Sequence, residues 1–301
     1  MTTRHQVSVV ANLTYAVVDG HTLHADLYLP EAAQPAPVVI YVHGGGWAVG
    51  SRTDHAATRL SALAAMGLAV LSIDYRLVDV AHFPAQVHDV KAAIRWLRAH
   101  AGGLGVDAQR VGIWGASAGA VLAALAGLTA GQRDWKGNVG DHQGQASDVD
   151  AVVSWFGISD LSSTTTRSPL ETELLPDGPE AAFLGLPTRA DIAGAPDLAR
   201  QASPLEWVHN NAPPFLIAHG DRDRVVPPAE SLALHTALTR AGATSMLLTL
   251  GGAGHEDQAF DSTAHLAVTA AFLRSALHRG TAAANASSES SSIPAHVRTP
   301  Q

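Results

Sequence analysis

An α/β fold, a mainly parallel sheet with helices on both faces, is what this sequence predicts, and three observations carry it. β-type and helical runs alternate along most of the 301 residues, the order that builds parallel sheets. Several β-type runs are unbroken apolar stretches, the pattern of strands covered on both faces. Apolar residues make up 47% of the chain and charged residues 15%, which supplies a core large enough for one sizeable domain.

Each element has its own signal. "HTLHADLYLP" (21–30) alternates like a half-exposed strand, and Pro30 ends it. "APVVIYVHGGGW" (36–47) begins as a continuous apolar run, a doubly covered strand. A helix near 53–66 and a strand "LAVLSIDYRL" (68–77) follow. After Pro84 the spacing of Val87, Val90, Ile94 and Leu97 predicts a helix with one apolar face. "RVGIWGAS", "DAVVSWFGISD" (150–160), "PFLIAHGDRD" (214–223) and "TSMLLTL" (244–250) are the later strands, and a terminal helix runs to about residue 279. The early strands fit an antiparallel edge on the parallel sheet.

Two segments break the alternation: the polar, glycine-rich 131–149 and the Pro- and Ser/Thr-rich 161–213. Long excursions in a compact domain are usually lids or binding loops. Both are expected over the C-terminal ends of the strands, where open α/β sheets bind ligands. Residues 1–279 read as one domain, and 280–301 as a disordered tail with little to bury.

Net charge is −8, which argues against nucleic acid or an anionic membrane as partner. The basic residues are 17 Arg and 2 Lys in an Ala- and Gly-rich chain, a coding bias and not a binding signature. With no cysteine, disulfides, thiolate catalysis and cysteine-bound zinc are excluded. The N-terminal residues lack a signal-peptide core and no apolar run spans a bilayer, so the expectation is a cytoplasmic protein.

Chemistry concentrates at the strand ends. In "GASAG" (115–119) Ser117 stands between small residues, after a strand and before a helix. A sharp turn there pushes the hydroxyl out above the sheet, and small neighbours are needed because the turn is crowded. A serine hydroxyl needs a base to become a nucleophile. "HGGGW" (43–47) brings bare backbone N–H groups to the end of its own strand; Gly45 and Gly46, with the N–H of Ala118, suit an oxyanion. His43 reads as a structural residue of that loop. In "HGDRDRVVP" (219–227) Asp221 and Asp223 both offer a carboxylate to orient an imidazole. His255, in "GGAGHEDQ" after the last strand, suits general-base work. The order Ser, Asp, His along the chain is that of α/β-hydrolases.

On the motifs "HGGGWAVGSR", "SIDYRL", "FPAQVHDVKAAIRWLRAH", "GASAG", "WFGISDL", "PPFLIAHGDRDRVVP" and "GAGH", the chain resembles a carboxylesterase of the α/β-hydrolase fold over about residues 7–279. It is most similar to bacterial feruloyl and acetyl-xylan esterases, and more distantly to hormone-sensitive-lipase-like enzymes. The resemblance implies about eight strands, a small lid insertion, and a triad of Ser117, Asp223 and His255, with Asp223 preferred to Asp221. It leaves Asp160 a minor rival and makes Asp74 of "DYR" a support for the glycine loop.

The reaction implied is hydrolysis of small, short-to-medium-acyl esters through an acyl-enzyme, with no cofactor and no metal. Histidines such as His21, His24 and His142 form no ligand set. Trp47, Trp155 and Phe156 are candidates for the substrate pocket, and Trp135 lies beside it. The acidic "HEDQ" stretch is expected to shift the pH optimum or repel anionic substrates. Alternatives are a feruloyl or acetyl esterase acting on plant oligosaccharides, an amide or formamide hydrolase, and a non-catalytic binding protein of the same fold. A small-molecule ester is the expected partner, and the oligomeric state is left open.

Overall fold

The computed structural model describes residues 4–32, 34–166 and 178–289. Eight strands form one sheet in the order β1-β2-β4-β3-β5-β6-β7-β8. They are β1 (Val7–Val18), β2 (His21–Pro30), β3 (Ala36–Val42), β4 (Ala69–Ile73), β5 (Val106–Ala116), β6 (Ala151–Trp155), β7 (Phe215–Gly220) and β8 (Ser245–Leu250). β2 runs antiparallel to both β1 and β4, and every pairing from β4 through β3 to β8 is parallel. The antiparallel edge and parallel body agree with the sequence expectation. Strand β1 is the addition: Val9, Val10 and Val17 are exposed along it, so no clean inward stripe announces it.

The helices are α1 (Ser61–Ala64, preceded by a π-turn Ala56–Leu60), α2 (Ala85–Leu104), α3 (Ala118–Leu128), α4 (Arg133–Lys136), α5 (Pro179–Leu184), α6 (Pro196–Gln201), α7 (Pro228–Arg240) and α8 (Thr263–Glu289). Alternation along β3 divides the core. Val38, Ile40 and Val42 face one layer with Val87, Val90, Ile94 and Leu97 of α2 and the apolar residues of α3. Val39 and Tyr41 face the other, with Leu60, Leu63 and Leu266, Leu273 and Leu277 of α8. This is why β3 reads as apolar throughout: both its faces are covered. All of α3 is buried, and its Ala and Gly residues let it lie close on the sheet.

Two expectations are corrected here. Segment 131–149 does not lie over the strand ends: Arg95 of α2 donates to the carbonyls of Lys136 and Val139, so the segment covers the flank of α2. The reason is topological, since α3 carries the chain away from the C-terminal end of β5 before the segment starts. The terminal helix also continues to Glu289 instead of ending near 279, through a stretch whose four alanines favour helix. Residues 290–301, the rest of the expected tail, lie outside the described residues, as do 167–177 of the second segment. Among the described residues no helix is long and apolar enough to cross a membrane.

His265 of α8 is buried against Trp155, with ring centroids 4.7 Å apart, and neither ring nitrogen has a hydrogen-bond partner. Burial, aided by the nearby Arg59 charge, holds it at about 4, down from 6.5. The unfolded chain therefore takes up a proton below 6.5 that the native state refuses until about 4. Stability is full above that window and falls across it as pH drops. His265→Phe is expected to reduce this loss between pH 7 and 4.5 by roughly 1–2 kcal/mol, read from urea unfolding at the two pH values; an undiminished loss would contradict the assignment.

Candidate active site

The parallel strands deliver four loops to one end of the sheet. His43–Trp47 follow β3, Ser117 follows β5, Asp223 follows β7 and His255 follows β8. Val42 pairs with Gly115, which sets the glycine loop directly beside the turn of Ser117.

That turn is strained. Ser117 has φ 51° and ψ −120°, outside the regions that residues with a side chain prefer. Its N–H donates to the Trp155 carbonyl at 2.9 Å, and its own carbonyl accepts from Ala120 N–H at 2.9 Å, starting α3. Space explains the flanking glycines. A Cβ on Gly115 would lie 2.1 Å from the Gly119 oxygen, and one on Gly119 would lie 2.1 Å from the Val42 oxygen. The packing of α3 on β3 thus aims the serine side chain away from the sheet.

Ser117 Oγ lies 2.9 Å from Nε2 of His255. Nδ1–H of His255 donates to Oδ2 of Asp223 at 2.7 Å. The other carboxylate oxygen of Asp223 accepts from the N–H groups of Val225 and Val226, at 2.8 and 2.9 Å. Burial opposes the charge on Asp223, but hydrogen bonds from His219 and His255 and the N–H of Val226 outweigh it and hold the carboxyl well below the usual range. Asp221 sits apart, exposed and accepting from Gly252 N–H at 2.7 Å. Asp160 accepts from the N–H and hydroxyl of Ser162 in a local turn.

The glycine loop folds back on itself: the Gly45 carbonyl accepts from the N–H groups of Ala48 and Val49, each at 3.1 Å. Gly44, Gly45, Gly46, Ser117, Ala118 and His255 all line a space of about 390 Å³. Gly45 has φ 105°, and a Cβ there would meet the Val49 oxygen at 2.2 Å. His43 is structural, as anticipated. It stacks on Tyr75 with centroids 4.3 Å apart, and burial keeps its ring below the ordinary histidine range. Asp74 supports the loop through Arg52, accepting from its N–H at 2.8 Å and its guanidinium at 2.6 Å.

A scan against protein families matches the BD-FAE model over residues 25–238. The chain belongs to the BD-FAE family. It is 40% identical over 224 residues to esterase LipC of Mycobacterium tuberculosis, covering 74% of this chain and 53% of LipC; it spans about half the length of the curated relatives it matches. Among solved structures it is similar to a truncated carbohydrate esterase from gut microbiota, at 31% identity and a TM-score of 0.81, covering 92% of this chain and 99% of that one. It is also similar to Est2 of Thermogutta terrifontis in a propionate-bound form, at 26% identity and TM-score 0.69, covering 90% and 94%. Both share the α/β-hydrolase fold found here.

The aromatic candidates separate in this BD-FAE chain. Trp47 lines the cavity and stacks on Phe183 of α5 at 4.2 Å. Trp155 and Phe156 do not line it. Both are fully buried: Trp155 packs among Trp114, Phe260 and His265, and Phe156 meets the His255 ring edge-on at 5.0 Å. The interior position of β6 explains the correction, since helices cover both of its faces. Trp135 packs on Phe83 and Trp207. Segment 161–213 supplies Pro179 and Glu180 to the cavity, whereas none of 131–149 is among its described lining residues.

His219 was not singled out in the sequence, and Glu256 was noted only as part of the acidic "HEDQ" stretch. His219, in the same motif as Asp223, is buried and bonds its carboxylate. Glu256 lines the cavity beside His255 and meets Nε2 of His55 at 3.2 Å, with Arg59 4.0 Å away. Burial works against its charge, yet the His55 hydrogen bond and the Arg59 charge hold its carboxyl below the ordinary range. The spacing of His219 to Asp223, four residues across one tight loop, was the available signal for the first. For Glu256 it was adjacency to His255.

Proposed function

We propose that this chain is a serine esterase hydrolysing small, short-to-medium-acyl carboxylic esters through an acyl-enzyme. The observation that carries the reading is the 2.9 Å contact of Ser117 Oγ with His255 Nε2 at the wall of a cavity of small-ligand size. The esterase names of its relatives and neighbours support it.

In this reading His255 Nε2 takes the proton of Ser117 as Oγ bonds to the ester carbonyl carbon. Asp223 keeps the imidazole in the tautomer with its proton on Nδ1 and stabilises the imidazolium. The carbonyl oxygen, now negative, accepts from the N–H groups of Gly45, Gly46 and Ala118. Collapse breaks the bond to the alcohol oxygen, which leaves with the proton from His255. Water, deprotonated by the same ring, then attacks the acyl-serine and releases the acid. A carbohydrate ester as substrate is the second reading, favoured by the likeness to the gut carbohydrate esterase.

The acyl-enzyme reading makes a direct prediction. A fluorophosphonate should label the tryptic peptide 111–133, and Ser117→Ala should lower kcat by at least roughly 10⁴-fold without changing the unfolding transition. Labelling elsewhere, or none in an active preparation, would overturn it.

Charge in the cavity sets a second expectation. Asp54, Glu180 and Glu256 line it, and no Lys or Arg is among its described lining residues. The 4-nitrophenyl ester of butyrate should exceed that of hemisuccinate in kcat/KM by roughly tenfold or more, and Glu256→Gln should narrow the ratio severalfold. A ratio near one in the native protein would contradict this.

A further inference from the structure

Asp223 serves two histidines. Its Oδ2 lies 2.7 Å from Nδ1 of His255 and 3.1 Å from Nε2 of His219. His219 is the penultimate residue of β7 and is 1% exposed. Its Nε2 also faces the Val226 carbonyl at 3.0 Å, and its Nδ1 faces the Ser231 hydroxyl of α7 at 2.7 Å. Two acceptors at Nε2 place the ring proton there. Nδ1 is then left to accept from the buried Ser231 hydroxyl, which gives both ring nitrogens a partner.

We infer that His219 is a positioning residue of the reaction: it anchors Asp223 and, by donating to the oxygen that also receives His255, limits how strongly that carboxylate attracts the catalytic imidazole. The inference rests on the esterase reading above. The donor set on Asp223 supports it. The carboxylate takes four donors, and those from Val225 and Val226 hold only Oδ1; His219 is the one contact besides His255 that fixes Oδ2 among the described residues. The His219 hydrogen bond also acts with the hydrogen bond and charge of His255 to hold the Asp223 carboxyl below the ordinary range against its burial. A carboxylate whose lone pairs are shared between two N–H donors is a weaker partner for each.

The consequence concerns rate and pH together. Without the His219 N–H, Oδ2 swings more freely, and misplacing a catalytic group by a fraction of an ångström is costly. The same loss leaves more negative charge facing the imidazolium of His255, so the ring keeps its proton to higher pH. Other charged groups facing His255 come from its own loop and the one after β3. Glu256 adjoins it, with His55 at 3.2 Å and Arg59 at 4.0 Å from that carboxylate; they stay unchanged in every variant below.

The test uses the full chain with 4-nitrophenyl butyrate across pH 5–9. His219→Leu removes the donor, His219→Gln retains an N–H at similar reach, and Ser231→Ala removes only the group that orients the ring. For His219→Leu, kcat should fall roughly tenfold or more with KM within about twofold, and the acidic limb of kcat/KM should move to higher pH. His219→Gln should recover most of both effects. Ser231→Ala should shift the limb in the same direction by less, and it serves as the readout if the leucine variant does not fold. A limb that overlays the wild type in the folded variants, or a glutamine variant no better than leucine, overturns the inference. Failure of the wild type to take a fluorophosphonate on Ser117 would instead defeat the parent reading, and this inference with it.

Discussion

The contact between the first turn of α3 and the end of β3 is the constraint on which the site depends. Main chain touches main chain there, because any side chain on Gly119 would lie 2.1 Å from the Val42 oxygen. That closeness forces Ser117 into a left-handed conformation with φ 51°, a strain that persists only when its surroundings over-determine it. Here they do, since α3 is buried along its whole length and the Ser117 N–H is tied to β6. One close approach therefore fixes the hydroxyl above the sheet and sets the glycine loop beside it.

Electrostatics completes what packing begins. A carboxylate with 3% exposure would be costly if unpaired, and Asp223 is instead held by two imidazoles and two backbone N–H groups. Its charge is spent on orientation. Around Glu256 the logic differs: the carboxylate is one-third exposed, at 34%, and shares its charge with His55 and the buried Arg59. Arg59 in turn donates to Asp261 and Tyr41 and lies over Trp155 at 5.1 Å. The cavity thus borders a charge network anchored deep in the second core layer, which is how a rim residue gains a fixed position.

Much of this was legible in the sequence because position along a parallel strand carries function. Unbroken apolar runs marked β3 and β7, and whatever follows such a run reaches the ligand end of the sheet. The spacing of Val87, Val90, Ile94 and Leu97 marked the buried face of α2 for the same local reason. What was not legible depends on tertiary contacts. Trp155 and Phe156 sit one strand-end away from Ser117, but whether a side chain there faces a cavity or a helix is decided by α8, distant in sequence. His219 looked like part of a loop motif, because only the fold turns its ring toward Asp223. The path of 131–149 followed from the direction of α3 and not from its own composition. Strand β1 was not legible because an edge strand with exposed valines lacks a one-sided pattern.

A crystal structure of the protein inactivated by a 4-nitrophenyl alkylphosphonate tests the central arrangement most directly, because the adduct mimics the tetrahedral intermediate with its charged oxygen in place. Covalent density should join phosphorus to Ser117 Oγ, with one phosphonyl oxygen within about 3 Å of the N–H groups of Gly45, Gly46 and Ala118 and His255 still bonded to Asp223. Density on another residue, or a phosphonyl oxygen turned away from all three N–H groups, would contradict it.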